Sequence, residues 1–489
     1  SAMAQRFCNR VAIGIMILVL FDHGLCLSEK GRLALQKALP NVDLKKRHER
    51  LQKLGGLRGR GRSNSTRPIP TLPNLTREDG ALAGEEMSSG SDGSSIVAVN
   101  SVEGLDEYLF EGDILLTDEE LSALENENDE DGVENSARKK RQISSISTNW
   151  ENNTVFYYFD ASIGAANQAY IRSTLKYLSS RTCIDFVENP TAPNRIQVFD
   201  GSGCYSSVGM KGNEQTISLA QGCIVIGTVA HEFMHALGAL HMHMRDDRDD
   251  HLRVDLTNVP EAKQSNFLKQ TRSINHSPYE YGSTMHYSRD AFTTSGDSMI
   301  PLIPRFKQTM GTKTISFYDL HMINAQYKCY AACAGKIPSC VNGGVPNPRN
   351  CAVCNCPAGY GGALCNLRPA ACGATLTATT AWQTKKVTVG DATMTTTSQS
   401  YKMCVDWIKA PAGKKVQIRV TALQGVNCND GCWTHAIEAK IMADKKMTNS
   451  RICCSGQLNQ IWPSALNPTP IVSYSIRQAA TFTYQYRYV

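Results

Sequence analysis

The alternation of apolar and polar positions divides the chain into stretches of different texture. Residues 11–21 are apolar, follow Arg6 and Arg10, and precede small and polar residues over 24–28. This run is too short to span a bilayer and has the layout of a secretory signal, so residues 1–28 are set outside the fold; Ser1 and Ala2 ahead of Met3 read as a cloning remnant. Residues 29 to about 54 are helical in period and strongly charged. From 55 to about 100 the chain is Gly, Ser, Pro, Arg and Asn with little to bury, which predicts disorder. An acidic tract over 103–134 then ends in Arg138-Lys139-Lys140-Arg141. Beyond Gln142 the texture becomes globular: a strand over 155–160, an amphipathic helix over 162–180, a strand over 195–200 and a helix over 228–238. From 372 to 489 helix signals vanish, and Val, Thr, Ile and Tyr alternate through 385–389, 415–420 and 479–488, as in a β-sandwich.

The helix over 228–238 carries the chemistry. His231 to His241 reads H-E-x-x-H-x-x-G-x-x-H. Histidines at i and i+4 share one helix face, so His231 and His235 can converge on one cation. Gly238 lets the chain leave the helix, since glycine takes positive φ at little cost, and the turn brings His241 back as a third ligand. Glu232 follows the first ligand, where its carboxylate can serve as a base without ligating the metal. An amphipathic helix with incidental histidines does not account for the glycine and third histidine in register.

At 489 residues and 53.7 kDa the chain accommodates several domains. Of its 18 cysteines, Cys8 and Cys26 fall in the signal segment and the other sixteen all follow position 180, which predicts an oxidising compartment and full pairing. Six of them lie in the thirty-odd residues from Cys333 to Cys365, a segment that must be stapled because it cannot build a core. Asn64, Asn74, Asn152 and Asn275 open N-x-S/T sequons. The net charge of +6 conceals the acidic tract; the lysines are scattered and the compartment is extracellular, so nucleic acid is not a partner, and no further segment suits a membrane. In this setting the basic cluster ending at Arg141 reads as a site for a furin-like convertase, with the mature chain starting at Gln142.

Together with Ser283-Thr284-Met285-His286-Tyr287, the zinc segment resembles the astacin family of zinc metalloendopeptidases, within the metzincins. The resemblance implies one zinc ion held by His231, His235 and His241, Glu232 as general base, Met285 as an apolar floor in a Met-turn, and Tyr287 as a hydroxyl that ligates zinc or swings to stabilise the oxyanion. It covers residues 142–330 and implies an α+β catalytic domain of two lobes with an active-site helix. Gly203-Cys204-Tyr205-Ser206-Ser207-Val208-Gly209 looks like another family stretch, and Arg195-Ile196-Gln197-Val198 is similar to the edge strand that pairs with substrate. Disulfides Cys183–Cys329 and Cys204–Cys223 are implied. Upstream, Phe110-Glu111-Gly112-Asp113 resembles the F-x-G-D motif of the family's propeptides, in which the aspartate ligates zinc in the zymogen. Residues 29–141 then become a propeptide, largely disordered, with an inhibitory segment at 110–113. A carboxylate is a good oxygen ligand for zinc, so the role is chemically sound.

Downstream, residues 331–368 look like an EGF module, implying Cys333–Cys351, Cys340–Cys354 and Cys356–Cys365, although spacing alone allows fifteen connectivities. Residues 369–489 are similar to an all-β CUB sandwich, with Cys372–Cys404 implied and the partners of Cys428, Cys432, Cys453 and Cys454 left open. Calcium-binding CUB domains carry an acidic-aromatic pair where this chain has Cys432-Trp433-Thr434-His435, which argues against calcium. The module order resembles nematode astacins that process cuticle collagens and, more distantly, the tolloid proteinases. By that resemblance Lys307 would line the pocket for the residue after the cleaved bond and favour Asp or Glu there. The implied function is a secreted endopeptidase of procollagen or other matrix precursors. A broader hatching, moulting or digestive astacin and a non-enzymatic EGF/CUB adaptor are the alternatives. One position departs from the family: Met242 replaces the glutamate that follows the third histidine and holds the new N-terminal ammonium. A Gln142 cyclised to uncharged pyroglutamate would suit that apolar residue.

Overall fold

The computed structural model describes residues 27–58, 95–129, 147–270, 274–336 and 338–489. The signal segment, Asn64, Asn74, the basic cluster to Arg141 and Gln142 lie outside them. The central α/β unit is built on a five-stranded sheet of β1 (Thr154–Phe159), β2 (Asp185–Glu188), β3 (Arg195–Phe199), β4 (Cys204–Ser206) and β5 (Glu214–Leu219), ordered β2-β1-β3-β5-β4. Only β4 runs antiparallel to its neighbour. The expectation that 195–198 forms the edge is therefore corrected: β3 is paired on both sides, by β1 and β5, and the edges are β2 and β4. Alternation along β3 marks it as a strand but carries nothing about its place in the sheet.

Helix α5 (Ala165–Ser179) turns Tyr170, Ile171, Thr174, Leu175 and Leu178 inward, the i, i+4 stripe expected of a helix lying on a sheet. Helix α6 (Ile226–Ala236) is buried at every residue. It starts and ends two residues earlier than its sequence pattern suggests, and Gly238 beyond it has φ 101°. A second lobe follows, with the short pair β6 (Leu252–Val254) and β7 (Met299–Pro301) and helix α7 (Phe317–Gln326). Cys183–Cys329 and Cys204–Cys223 close the unit.

The described parts of the N-terminal segment, 27–58 and 95–129, include order that composition does not predict. Its helical start is two helices, α1 (Glu29–Ala38) and α2 (Leu44–Arg58), parted at Pro40, and α3 (Ile96–Val102) and α4 (Asp118–Asp129) follow. Leu35, Leu105, Tyr108, Leu109 and Leu115 pack on Phe199 and Tyr205, while Leu51, Leu54, Phe110, Ile114, Leu116 and Leu121 pack on Val208 and Leu240. The segment gains its core from the central unit, which composition cannot register. Ile114 bridges Ser206 in parallel, with Leu115 N donating to Ser206 O at 2.9 Å and Ser206 N to Asp113 O at 3.1 Å.

After Cys333 comes a small unit around the hairpin β8 (Val345–Asn347) and β9 (Asn350–Asn355), stapled by Cys333–Cys351, Cys340–Cys354 and Cys356–Cys365. The C-terminal unit has two facing sheets. One is β10 (Thr375–Thr377), β12 (Lys402–Lys409), β17 (Thr469–Ser475), β14 (His435–Ala439) and β15 (Arg451–Ile452); the other is β11 (Gln383–Val389), β18 (Ala480–Tyr488), β13 (Val416–Gln424) and β16 (Trp462–Pro463). Ile418, Val420, Ile437, Ile471, Phe482 and Tyr484 fill the space between them. Its bridges are Cys372–Cys404, Cys428–Cys454 and Cys432–Cys453, which assigns the four cysteines left open by the sequence. The sandwich docks on the central unit: Arg289 Nε meets Asp430 Oδ1 at 3.0 Å, Thr448 N donates to Glu280 Oε2 at 3.0 Å, and Arg451 N to Thr309 Oγ1 at 3.0 Å.

Candidate metal centre and active site

Three histidine rings on one side of α6 and its exit turn face a carboxylate from the N-terminal segment. Each ring has its Nδ1 proton fixed by an acceptor: Thr284 O for His231 at 2.7 Å, Ala239 O for His235 at 2.8 Å, and Glu111 Oε2 for His241 at 2.7 Å. With Nδ1 donating, every Nε2 presents a lone pair. These three atoms and an oxygen of Asp113 lie within 4.8 Å of one another, all buried. His231 Nε2 is 3.3 Å from His241 Nε2 and 3.0 Å from Asp113 Oδ2; His235 Nε2 is 3.5 Å from Asp113 Oδ1. Tetrahedral zinc with ligands at about 2.0–2.1 Å separates its donors by about 3.3–3.4 Å. The donor set and its spacing suit one zinc ion.

Electrostatics agree. Burial pushes the Asp113 carboxyl up, but His241 and His235 outweigh it and hold the group well below the usual carboxylate range. Burial first, then the Asp113 charge, push Glu232 well above its ordinary value. Both Glu232 oxygens are buried without a hydrogen-bond partner, as is His235 Nε2, which fits a ring nitrogen kept for a metal ion.

The supporting turn is clamped from below. Asp319 accepts from Ser283 Oγ, from Thr284 N at 3.0 Å and from Ser316 N at 2.8 Å, which fixes Thr284 O beneath His231. Met285 is fully buried, and its carbonyl accepts from Met242 N at 2.8 Å. Tyr287 OH donates to Glu111 O at 2.9 Å, so the hydroxyl is engaged by the N-terminal segment. Glu111 has φ 53° and Gly112 φ 88°; a Cβ on Gly112 would meet Phe292 Cζ at 2.6 Å, so a glycine is needed for Asp113 to reach the histidines.

Other expected residues lie elsewhere. Lys307 is not among the residues lining the cavity beside His231; its ammonium is 2.6 Å from Asp297, which also pairs with Arg289. The lysine that does line that cavity is Lys313, whose Nζ sits 4.3 Å above the Trp433 ring. Met242 is packed with Arg245 Nη1 3.7 Å from its sulfur. Asn152 is exposed, whereas the Asn275 side-chain nitrogen, the atom a glycan would take, donates to Asp246 at 2.9 Å. Sequence reasoning missed Glu111, the variable position of its motif, and Asn100, which no motif flags. Both act on partners more than a hundred residues away.

A fully buried helix whose histidines converge with a carboxylate on one point, beside the buried Met285 turn, is a site of the zinc metalloproteinase class. The sequence profile of Astacin (Peptidase family M12A) matches residues 142–328. The chain belongs to the astacin family: zinc metalloproteinase nas-17 of Caenorhabditis elegans is 38% identical over 78% of this chain and 86% of its own length. Zinc metalloproteinases nas-32 and nas-31 of the same organism are 44% and 37% identical over 80% and 81% of this chain. The chain spans 60% and 66% of their lengths. High choriolytic enzyme 1, a hatching-enzyme zinc protease of the medaka fish Oryzias latipes, is 32% identical in its solved structure, covering 39% of this chain and 99% of its own, with a TM-score of 0.36.

Proposed function

We propose that the chain is a secreted zinc endopeptidase made as a zymogen, acting on extracellular matrix precursors such as procollagen. The observation that carries the enzymatic reading is the convergence of three Nε2 atoms beside the unpartnered Glu232 carboxylate. Zinc bound there would supply Lewis acidity, lowering the pKa of water and polarising a carbonyl. Glu232 takes the proton of the attacking water at its carboxylate and returns it to the leaving amine; burial favours its protonated form and so strengthens it as an acceptor. The Tyr287 hydroxyl, once released by Glu111 O, donates to the developing oxyanion. Asp113 fills the position that water would need, and Leu115 occupies the edge strand at Ser206. Cleavage after Arg141 by a furin-like convertase would free both.

Procollagen rests on the resemblance of 331–368 to EGF and 369–489 to CUB modules in this order. Its second support, a cationic Lys307 subsite, is weakened by the Asp297 pair. The full chain, before and after cleavage at Arg141, should hold one zinc by atomic absorption and hydrolyse a fluorogenic peptide only after cleavage. A cleaved, zinc-loaded chain that hydrolyses no peptide overturns the enzymatic reading; one that cuts peptides but leaves procollagen intact overturns the substrate.

A further inference from the structure

Asn100 of α3 is fully buried, and its carboxamide makes three hydrogen bonds. Its Oδ1 accepts from Cys204 N at 2.8 Å; its Nδ2 donates to Cys204 O at 2.8 Å and to Gly112 O at 2.9 Å. Cys204 opens β4, the edge strand whose Ser206 the inhibitory segment already pairs through Ile114 and Leu115. One residue of an added antiparallel strand exchanges that same pair of bonds, a donor and an acceptor, with its partner residue. A side-chain amide thus does here what a peptide backbone would do. The fit is close: a Cβ on Gly203 would meet Asn100 Oδ1 at 2.4 Å. Four and three residues earlier, Ile96 and Val97 form one wall of a cavity of about 30 Å³ beside His231, faced by Thr228, Thr284, Ser288, Gly311, Thr312 and Lys313. Ile96 and Val97 are buried in the same apolar cluster as Val229, Met285, Tyr287 and Met310.

We propose that α3 is a built-in substrate mimic: the Asn100 carboxamide stands for a substrate backbone group on Cys204, and Ile96 and Val97 occupy the pocket that takes a branched aliphatic side chain of the substrate. This rests on the endopeptidase reading and deepens it. The remaining space of about 30 Å³ has room for about two or three waters, so Ile96 and Val97 leave little of the pocket open. Lys313 is stacked toward Trp433 of the sandwich, so the C-terminal unit helps set an apolar rather than an anionic preference. The inhibitory segment would then hold the cleft by Asp113 at the metal and, beside the Leu115–Ser206 backbone pair, by Asn100 on the edge strand, and the Asn100 hold is independent of zinc.

The test uses the full chain cleaved after Arg141 and a fluorescein-labelled peptide of residues 95–116 added in trans, which avoids any folding defect in a variant zymogen. The Asn100→Ala peptide should bind at least tenfold more weakly than the wild-type peptide, with the same ratio after zinc is stripped by chelator. Equal binding of the two peptides overturns the mimic. A peptide library on the cleaved enzyme should give Val or Ile at least a tenfold higher kcat/KM than Asp or Glu at one position flanking the scissile bond; an acidic preference there overturns the assigned pocket. Because the binding arm needs no turnover, it still reads if the chain proves not to be a protease.

Discussion

His231, His235 and His241 each commit one ring nitrogen to a protein acceptor, and the remaining lone pairs meet at one point. Glu232 stands apart, buried but unbonded. Under the proposed mechanism, replacing it with glutamine removes the proton acceptor and leaves the three nitrogen ligands untouched. Glu232→Gln should therefore retain one zinc by atomic absorption while turnover of the cleaved chain falls by about 10²–10⁴-fold. Loss of zinc in that variant would mean that Glu232 is a ligand. Tyr287→Phe should lower kcat by roughly 10–10³-fold with KM little changed if, as proposed, the hydroxyl acts only as charge develops on oxygen; a rise in KM alone would assign it to substrate binding. At this scale the ligands are legible in the sequence, since i, i+4 spacing and one glycine decide their geometry locally. Glu111 is not, because it meets His241 only through the path of a segment 130 residues upstream.

At the scale of elements, the ligand cage depends on what holds the turn beneath it. Asp319, at the start of α7, is fully buried and joins that helix to Ser283 and Thr284. Burial pushes its carboxyl up, and the hydrogen bonds from Ser283, Thr284 and Ser316 oppose that by favouring its charged form. Asp319→Ala leaves buried Thr284 N and Ser316 N without partners, at about 1–3 kcal/mol each. It should lower the melting temperature by several degrees and, by releasing Thr284 O from under His231, weaken zinc binding by about 10–100-fold in a competition titration with a chelator. Unchanged zinc affinity in a destabilised variant would separate the turn from the ligand. Strand identity was readable from alternation, yet 195–198 lies inside the sheet, because hydrogen-bonding order depends on chain path and leaves no periodic mark. Composition likewise could not foresee α3, whose apolar partners belong to the central unit.

For the whole molecule, the sandwich is bound to the metal-bearing unit through buried polar groups. Glu280 is fully buried; it accepts from Gly282 N at 2.9 Å, at the entrance to the Met285 turn, and from Thr448 N at 3.0 Å in the sandwich. Burial pushes its carboxyl up to about 7; the two backbone donors and Lys440 oppose that, and the Asp319 charge adds to it. The unfolded chain releases this proton near 4.5 and the folded chain only near 7, so between those values the folded state binds more protons. The stability this group contributes is present below about pH 4.5 and lost as pH rises through 7, by about 3 kcal/mol in all. Glu280→Gln cannot titrate, so the decline between pH 5 and 7 should flatten in denaturant unfolding of the full chain, whatever the variant's absolute stability. Arg289–Asp430 and Arg451–Thr309 tie the same two units, so that transition should also be shared by both rather than confined to one. A wild-type profile and a Glu280→Gln profile with the same slope would remove Glu280 as its source, and two separated transitions would mean that the sandwich is a passive neighbour of the turn it touches.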